Sequence, residues 1–288
     1  VSAVVSSLSL LEKVAPRLTS EILWRVWRTP RKPRAISATV LPVMDLAQQE
    51  RSRIAGHDLA LYRWGSGPRV VLLVHGWEGR ASDFAPIVRE LQSRERTIIA
   101  LDAPGHGNSS GKRTNVIDYG TVLAELAGRF ERLEAVVSHS VGTPSVAAAV
   151  GNGLTADRFV SISGVATLSN LVTTFCRALR VPESMEERVR TRIEDRVFNG
   201  DRTIWSRYSA AQSPFPAESP VLIVHDRADR MVGFSEAGAL AHAHGGVNRM
   251  LATEGLGHSR ILAADLVLDE ILAFLDGSVA DSARAELA

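Results

Sequence analysis

Five residues, Ser138-His139-Ser140-Val141-Gly142, follow the apolar run Ala135-Val136-Val137 and precede a stretch rich in small residues, Thr143 to Val150. A serine at a sharp strand-to-helix turn is held out of the sheet with its hydroxyl exposed, and small neighbours are needed because the backbone there is strained and crowded. A helix beginning at that point aims unpaired N–H groups and the positive end of its dipole at the same spot. The amide of Val141 would then meet an oxyanion developing on a carbonyl attacked by Ser140. Ser140 is therefore the candidate nucleophile, and a serine that merely caps a helix is the less favoured explanation. The bare S-x-G pattern also occurs at Ser109-Ser110-Gly111, which opens no helix after a buried strand and is expected to be a turn.

A serine nucleophile needs a base, and the base needs a group to orient it. The apolar run Val221-Leu222-Ile223-Val224 leads into an acidic loop with Asp226 at the strand end and Asp229 three residues later. Either carboxylate would serve if it lay beside a histidine N–H. His258 sits in the loop Glu254-Gly255-Leu256-Gly257-His258, where an imidazole with an ordinary pKa near 6.5 suits proton exchange at neutral pH. His139, next to Ser140, is expected to pack, while His57, His225, His242 and His244 have no evident partner. His75, Asp102 and His106 superficially suggest a metal cluster, but their spacing fits no H-x-x-x-H or H-E-x-x-H arrangement, so neither a metal nor an organic cofactor is expected. Cys176, the one cysteine, excludes an internal disulfide and a CxxC centre and is read as a small buried hydrophobe.

The elements that must hold these groups alternate along the chain. Residues 49–56 and 58–65 read as an antiparallel hairpin turning at Gly56-His57-Asp58. Residues 69–76 form an apolar run of the central parallel-strand kind. A helix capped by Ser82 follows, with Phe84, Ile87, Val88 and Leu91 on one face. A strand running into a Gly-rich loop is expected over 97–109, a strand ending in a tight turn over 134–142, and further strands over 157–164, 220–226 and 249–255, with helices between them and a last helix over 264–275. This rhythm predicts an α/β sheet covered on both faces. Between about residues 165 and 217 no strand pattern appears, and an insertion into one domain explains the gap better than a second domain would. In its charged helix, Glu186 to Arg196, the residues Val189, Ile193 and Val197 turn inward at helical spacing and the charges face water.

Together these segments resemble the α/β-hydrolase fold family over roughly residues 48–276. That family's elbow is G-x-S-x-G; here Ser138 stands at the first glycine position, a mild departure because serine is small. The resemblance implies a mostly parallel eight-stranded sheet flanked by helices with a helical lid insertion. It divides the chain into an N-terminal helical extension (1–47), a core (48–164 and 218–276), a lid (165–217) and a C-terminal tail (277–288). It also implies the order nucleophile, acid, histidine. The family's D-x-x-V pattern after the strand selects Asp229, with Val232, as the acid and leaves Asp226 to brace the loop. His258 becomes the general base. The segment Val74-His75-Gly76-Trp77 supplies the second oxyanion amide from Trp77, whose indole would line the pocket, with His75 structural at the turn. His75, Trp77, His139 and Phe175 are the provisional pocket residues. Phe198, Trp205, Tyr208 and Phe215 either extend an apolar pocket or form the lid's own packing.

Bulk properties agree with a small-molecule enzyme. The 288 residues carry 33 Lys and Arg against 32 Asp and Glu, so no whole-molecule field favours nucleic acid. No apolar run approaches the roughly 18 to 20 residues that span a bilayer, and a soluble, cytoplasmic protein is expected. The opening Val1 to Leu11 reads as the start of an amphipathic helix rather than a signal peptide. In the next segment Arg25, Arg28, Arg31, Lys32 and Arg34 alternate with Trp24, Val26 and Trp27. A helix packing its Trp face on the body is preferred there to a membrane-surface patch. The expected activity is hydrolysis of a small to medium apolar ester by Ser140. Thioester or carbon–carbon cleavage, cofactor-free haloperoxidase-like chemistry and a slowly turning-over ligand receptor are the alternatives. The residues do not specify an oligomeric state.

Overall fold

Runs of apolar and β-branched residues with no polar face can exist in water only if both faces are covered, and the topology follows from that. The computed structural model describes residues 14–31, 35–92, 95–181, 183–212, 215–245 and 248–277. Eight strands form one sheet: β1 (Gln48–Ile54), β2 (His57–Trp64), β3 (Arg69–Val74), β4 (Arg96–Leu101), β5 (Ala135–His139), β6 (Arg158–Ile162), β7 (Val221–Asp226) and β8 (Asn248–Thr253). Their order across the sheet is β1-β2-β4-β3-β5-β6-β7-β8. β1 and β2 run antiparallel to their neighbours and the remaining pairs are parallel. The sheet is thus mostly parallel, as expected.

Strand alternation sends successive side chains to opposite faces. Val71, Leu73, Ala135 and Val137 pack with α2 (Leu41–Asp45), α3 (Ala85–Leu91) and α11 (Asp265–Asp276). Leu72, Val74 and Val136 pack with α4 (Val116–Ala127), α5 (Gly142–Gly151) and α9 (Ser235–His244). β3 lies between β4 and β5, so the chain leaves it in one direction toward β4 and later returns on its other side through β5. Crevices at such a crossing point, outside the carboxyl ends of parallel strands, are where open α/β sheets bind ligands.

Two local details differ from the sequence expectation. The hairpin turns at Ala55-Gly56, both in the left-handed region (φ 47° and 81°), so Ile54 pairs with His57 and the turn falls before His57. A two-residue turn of this kind matches the twist of the flanking strands. Ser82 caps no α-helix. It lies inside a 3-10 turn, Ala81–Phe84, closed by the Asp83 carboxylate accepting the Arg80 N–H at 3.0 Å, and α3 begins only at Ala85, just ahead of Pro86.

Between β6 and β7 the described chain is helical: α6 (Leu168–Ala178), α7 (Glu183–Phe198) and α8 (Ile204–Arg207). These helices share an apolar cluster with α1 (Pro16–Trp27), in which Leu23, Trp24, Val172, Cys176, Met185, Val189 and Ile193 are buried. The Trp face of α1 therefore packs on α6 and α7. Phe175 belongs to this cluster and meets Trp27 edge-to-face at 5.1 Å, so its expected place in a substrate pocket is corrected to helix packing. Burial raises the Cys176 thiol to about 11, with Glu186 adding to the shift, which leaves it a small hydrophobe at neutral pH. Among the described residues no helix is long and apolar enough to cross a membrane. Val1 to Leu11, Lys32, Arg34 and residues 278–288 lie outside the described residues.

Leu23 is fully buried in this interface, so Leu23→Ala is expected to lower the unfolding free energy by about 2–5 kcal/mol. Urea denaturation checks this, and a loss below about 1 kcal/mol would show that α1 is not packed into the folded body.

Candidate active site

The site starts from one strained residue. β3 and β5 are neighbours with Val74 opposite Ser138, so the segment His75-Gly76-Trp77 runs beside His139-Ser140-Val141. Ser140 adopts φ 54°, a left-handed conformation that costs a non-glycine residue roughly 1–2 kcal/mol. The turn is held by Ser140 N–H donating to Ile162 O at 3.0 Å, and by Thr143 N–H and Val165 N–H donating to Ser140 O at 3.1 and 3.3 Å. A Cβ at Gly76 would lie 2.8 Å from the Ser140 Cβ, and one at Gly142 would collide with the Val74 carbonyl. Both positions therefore require glycine. Ser138, by contrast, has room and partners: its hydroxyl donates to Val160 O at 3.0 Å and lies 3.0 Å from the Thr143 hydroxyl. That network explains how serine occupies the position where the family pattern has glycine.

A loop brings in Asp229, and a short helix, α10 (Gly257–Arg260), carries His258 where the sequence suggested a loop. Asp229 follows β7 in a turn where its Oδ1 accepts the N–H groups of Met231 (2.8 Å) and Val232 (3.0 Å). Its Oδ2 accepts from His258 Nδ1 at 2.7 Å, and His258 Nε2 lies 3.0 Å from Ser140 Oγ. With Nδ1–H donated to the carboxylate, Nε2 is free to accept the serine proton. Burial pushes the Asp229 carboxyl upward, but the hydrogen bonds from His258, Val232 and Met231 outweigh it and hold the group at about 2.

Asp226 is fully buried and turned elsewhere. It accepts the Thr253 hydroxyl (2.8 Å), Leu256 N–H (2.9 Å) and Ala228 N–H (3.0 Å), joining the end of β7 to the loop that leads into α10.

The remaining histidines sort by their partners. His75 donates Nδ1–H to Gly76 O at 2.7 Å and accepts Ala103 N–H on Nε2 at 2.9 Å. Burial, with His106 nearby, lowers it to about 3. It is a neutral strut between two loops, so its provisional place as a pocket residue is corrected. His139 donates Nε2–H to the His258 carbonyl at 2.9 Å, its ring 4.8 Å from the His258 ring. Burial, together with His258, lowers His139 to about 4. It backs His258 rather than merely packing. His225 donates Nε2–H to Val232 O at 3.0 Å and stands 3.8 Å from Asp229 Oδ2, a support that the sequence did not reveal. The only cue was its place four residues before Asp229. His244 stacks on Phe215 at 5.0 Å, and Phe215 stacks on Phe159 at 4.5 Å within the core, away from any pocket role.

The backbone N–H groups of Trp77 and Val141 donate to no group among the described residues. Both residues line a narrow crevice of about 10 Å³, together with Gly76, His106, Val116 and Tyr119. The Trp77 indole meets His106 edge-on at 5.2 Å. Asp102, fully buried, accepts Ala81 N–H and Asn108 N–H at 2.8 and 2.7 Å and so shapes the neighbouring loop. Among the described residues no group of three His, Cys, Asp or Glu side chains is arranged to hold a metal ion.

Comparison with known proteins adds a family and a fold. A model described as the alpha/beta hydrolase family matches residues 71–270. A segment of 88 residues is 38% identical to the dihydrolipoyllysine-residue acetyltransferase component of the acetoin cleaving system of Cupriavidus necator, covering 28% of this chain and 22% of that protein. The chain thus spans less than a quarter of that relative. An esterase from Pyrococcus furiosus superposes with a TM-score of 0.64 at 16% identity, covering 85% of this chain and 98% of its own. A bacterial membrane phospholipase A covers 98% of this chain and 100% of its own (TM-score 0.59, 17% identity). An epoxide hydrolase from Vigna radiata covers 81% and 98% (TM-score 0.58, 13% identity). At these identities the likeness speaks for the fold alone, and the three names span both ester hydrolysis and epoxide opening.

Because the folded state holds Asp229 below its usual value, it contributes stability above about pH 4 that is lost as pH falls through about 2. Asp229→Asn is therefore expected to cost on the order of 1–2 kcal/mol near pH 6, with the difference from wild type shrinking between about pH 4 and pH 2. Urea unfolding across that range checks the sign; a gap that widens toward acid would contradict it.

Proposed function

Since the chain belongs to the alpha/beta hydrolase family, we propose that it is a serine hydrolase, a carboxylesterase that cleaves small to medium apolar esters through an acyl-enzyme. The observation that carries this reading is the connected row of Ser140 Oγ, His258 and Asp229, with contacts of 3.0 and 2.7 Å. Ser140 attacks the ester carbonyl while its proton passes to His258 Nε2. The imidazolium keeps its Nδ1–H on Asp229, which stabilises the new charge without taking the proton. The carbonyl oxygen becomes an oxyanion facing the Trp77 and Val141 amides at the start of α5. Collapse breaks the bond to the alcohol oxygen, which receives the proton from His258, and the acyl group remains on Ser140. A water then gives its proton to His258 and attacks the acyl carbon; the bond from that carbon to Ser140 Oγ breaks as His258 returns the proton to Oγ, which releases the carboxylic acid and restores the serine.

The crevice beside Trp77 and Val141, walled by Val116 and Tyr119, has room for little more than a water and is lined by apolar surface, which supports a short apolar acyl group in this reading. In this reading residues 48–164 and 218–276 are the catalytic core and residues 165–217 a lid. Residues 1–47 are an extension and 277–288 a tail. Asp226 and His139 position the segment that holds the base.

A fluorophosphonate probe is expected to label Ser140 in the wild type, and p-nitrophenyl esters to be turned over with a preference for short acyl chains. Ser140→Ala should abolish labelling and lower kcat by at least about 10³- to 10⁴-fold. Binding of esters without turnover, and without labelling, would instead favour a receptor.

A further inference from the structure

The segment that precedes the sheet touches the helices between β6 and β7 and the loops that follow β3 and β4. Glu21 of α1 pairs with Arg192 of α7 at 2.6 Å, and the same arginine donates to the Ser20 hydroxyl at 2.9 Å. Trp27 meets Phe175 of α6. Beyond α1 the chain crosses to the loop after β4: Arg28 O accepts Thr114 N–H at 3.0 Å, and buried Pro30 lies over Gly105, close enough that a Cβ on that glycine would be 3.6 Å from the proline ring. It then reaches the loop after β3. Arg31 gives its backbone N–H to Glu78 Oε1 at 3.2 Å, its Nε to both carboxylate oxygens at 2.7 and 2.8 Å, and its Nη2 to Oε2.

Glu78 is the residue after Trp77, and it adopts φ 59° without being a glycine. Such a conformation persists only where its surroundings over-determine it, and it is common at functional loops. Three N–H donors from one residue converge on its carboxylate and hold the Glu78 carboxyl below its usual range. An isolated exposed ion pair contributes little because two long side chains must be ordered against water. Here the arginine is presented by backbone already fixed at Arg28 and Pro30, and its planar fork matches the carboxylate, which removes much of that cost.

We propose that Arg31 is a positioning residue: it clamps Glu78 in its left-handed conformation and thereby holds the turn closed by Gly79 N–H donating to Gly76 O at 3.1 Å, which presents the Trp77 N–H to the reacting carbonyl. The proposal rests on the hydrolase reading above for the role of that N–H. It assigns the extension a part in the reaction, although it lies outside residues 71–270 that define the family match. The clamp acts chiefly on transition-state stabilisation through the Trp77 N–H, so its loss should appear mainly in kcat, with only a small change in KM through the Trp77 side chain that lines the cleft.

The test uses the full chain and its Arg31→Ala, Arg31→Lys and Glu78→Gln variants with the double variant Arg31→Ala/Glu78→Gln. It measures kcat and KM on a short p-nitrophenyl ester together with thermal unfolding. Arg31→Ala and Glu78→Gln are each expected to lower kcat by roughly 5- to 20-fold with KM within about twofold, since a small misplacement of a donor is costly. The double variant should be no worse than either single one, and Arg31→Lys, which keeps charge but not the fork, should fall between wild type and Arg31→Ala. Because the pair is exposed, about 0.5 M salt should bring wild type toward the Arg31→Ala rate while barely changing the variant. All variants should unfold near the wild-type temperature. An active wild type whose kcat is unchanged by Arg31→Ala, or changed only as much as its stability, overturns the clamp and leaves the hydrolase reading standing. A wild type that neither labels with fluorophosphonate nor turns over any ester overturns both.

Discussion

A serine in the left-handed region at the end of a buried strand is unfavourable by itself, and the site is built around tolerating it. Ser140 stays there because its amide and carbonyl are bonded to Ile162, Thr143 and Val165, and because Gly76 and Gly142 leave the space that a Cβ would fill. These glycines come from two different segments, one ending β3 and one opening α5, and they meet only because β3 and β5 are neighbours in the sheet. The strand order is thus part of the chemistry. A register shift would turn every buried side chain of β5 to the opposite face and move Ser140 away from the space that accommodates it.

Around that point the charges are arranged economically. Two aspartates three residues apart divide two tasks: Asp226 knits the end of β7 to the segment that leads to the histidine, and Asp229 orients the histidine itself. Neighbouring imidazoles are kept neutral by burial, His75 at about 3 and His139 at about 4, and each is tied down by a backbone group. A second cation beside His258 would oppose the imidazolium of the proposed mechanism, in which Ser140 gives its proton to His258. Neutral, bonded neighbours give rigidity without that repulsion.

Much of this was legible in the sequence for reasons that can be stated. Fully buried parallel strands show as apolar runs, and turns that demand particular residues show as glycines and small side chains, so the sheet, the helical stretch after β6 and the segment carrying Ser140 stood out. Asp229 and Asp226 could be separated only by the family pattern, because both follow the same strand and spacing alone does not say which one faces a histidine 29 residues further on. The supports given by His139 and His225 depend on contacts to backbone carbonyls in distant or curled loops, which no periodicity encodes. Phe175 has the composition of a pocket residue, yet packs on Trp27 because α1 covers that face of α6. The start of α3 was misplaced because a 3-10 turn and an α-helix share the same apolar spacing over one turn.

The central claim is that a single short hydrogen bond from His258 Nδ1 to Asp229 fixes the imidazole so that its other nitrogen faces Ser140. Proton NMR reads that bond directly, because an imidazole Nδ1 proton shared with a buried carboxylate resonates far downfield of the ordinary amide region. Such a resonance is expected in the wild type, is expected to be lost in Asp229→Asn and to persist in Asp226→Asn. A downfield proton that survives Asp229→Asn, or its absence from wild type, would contradict it.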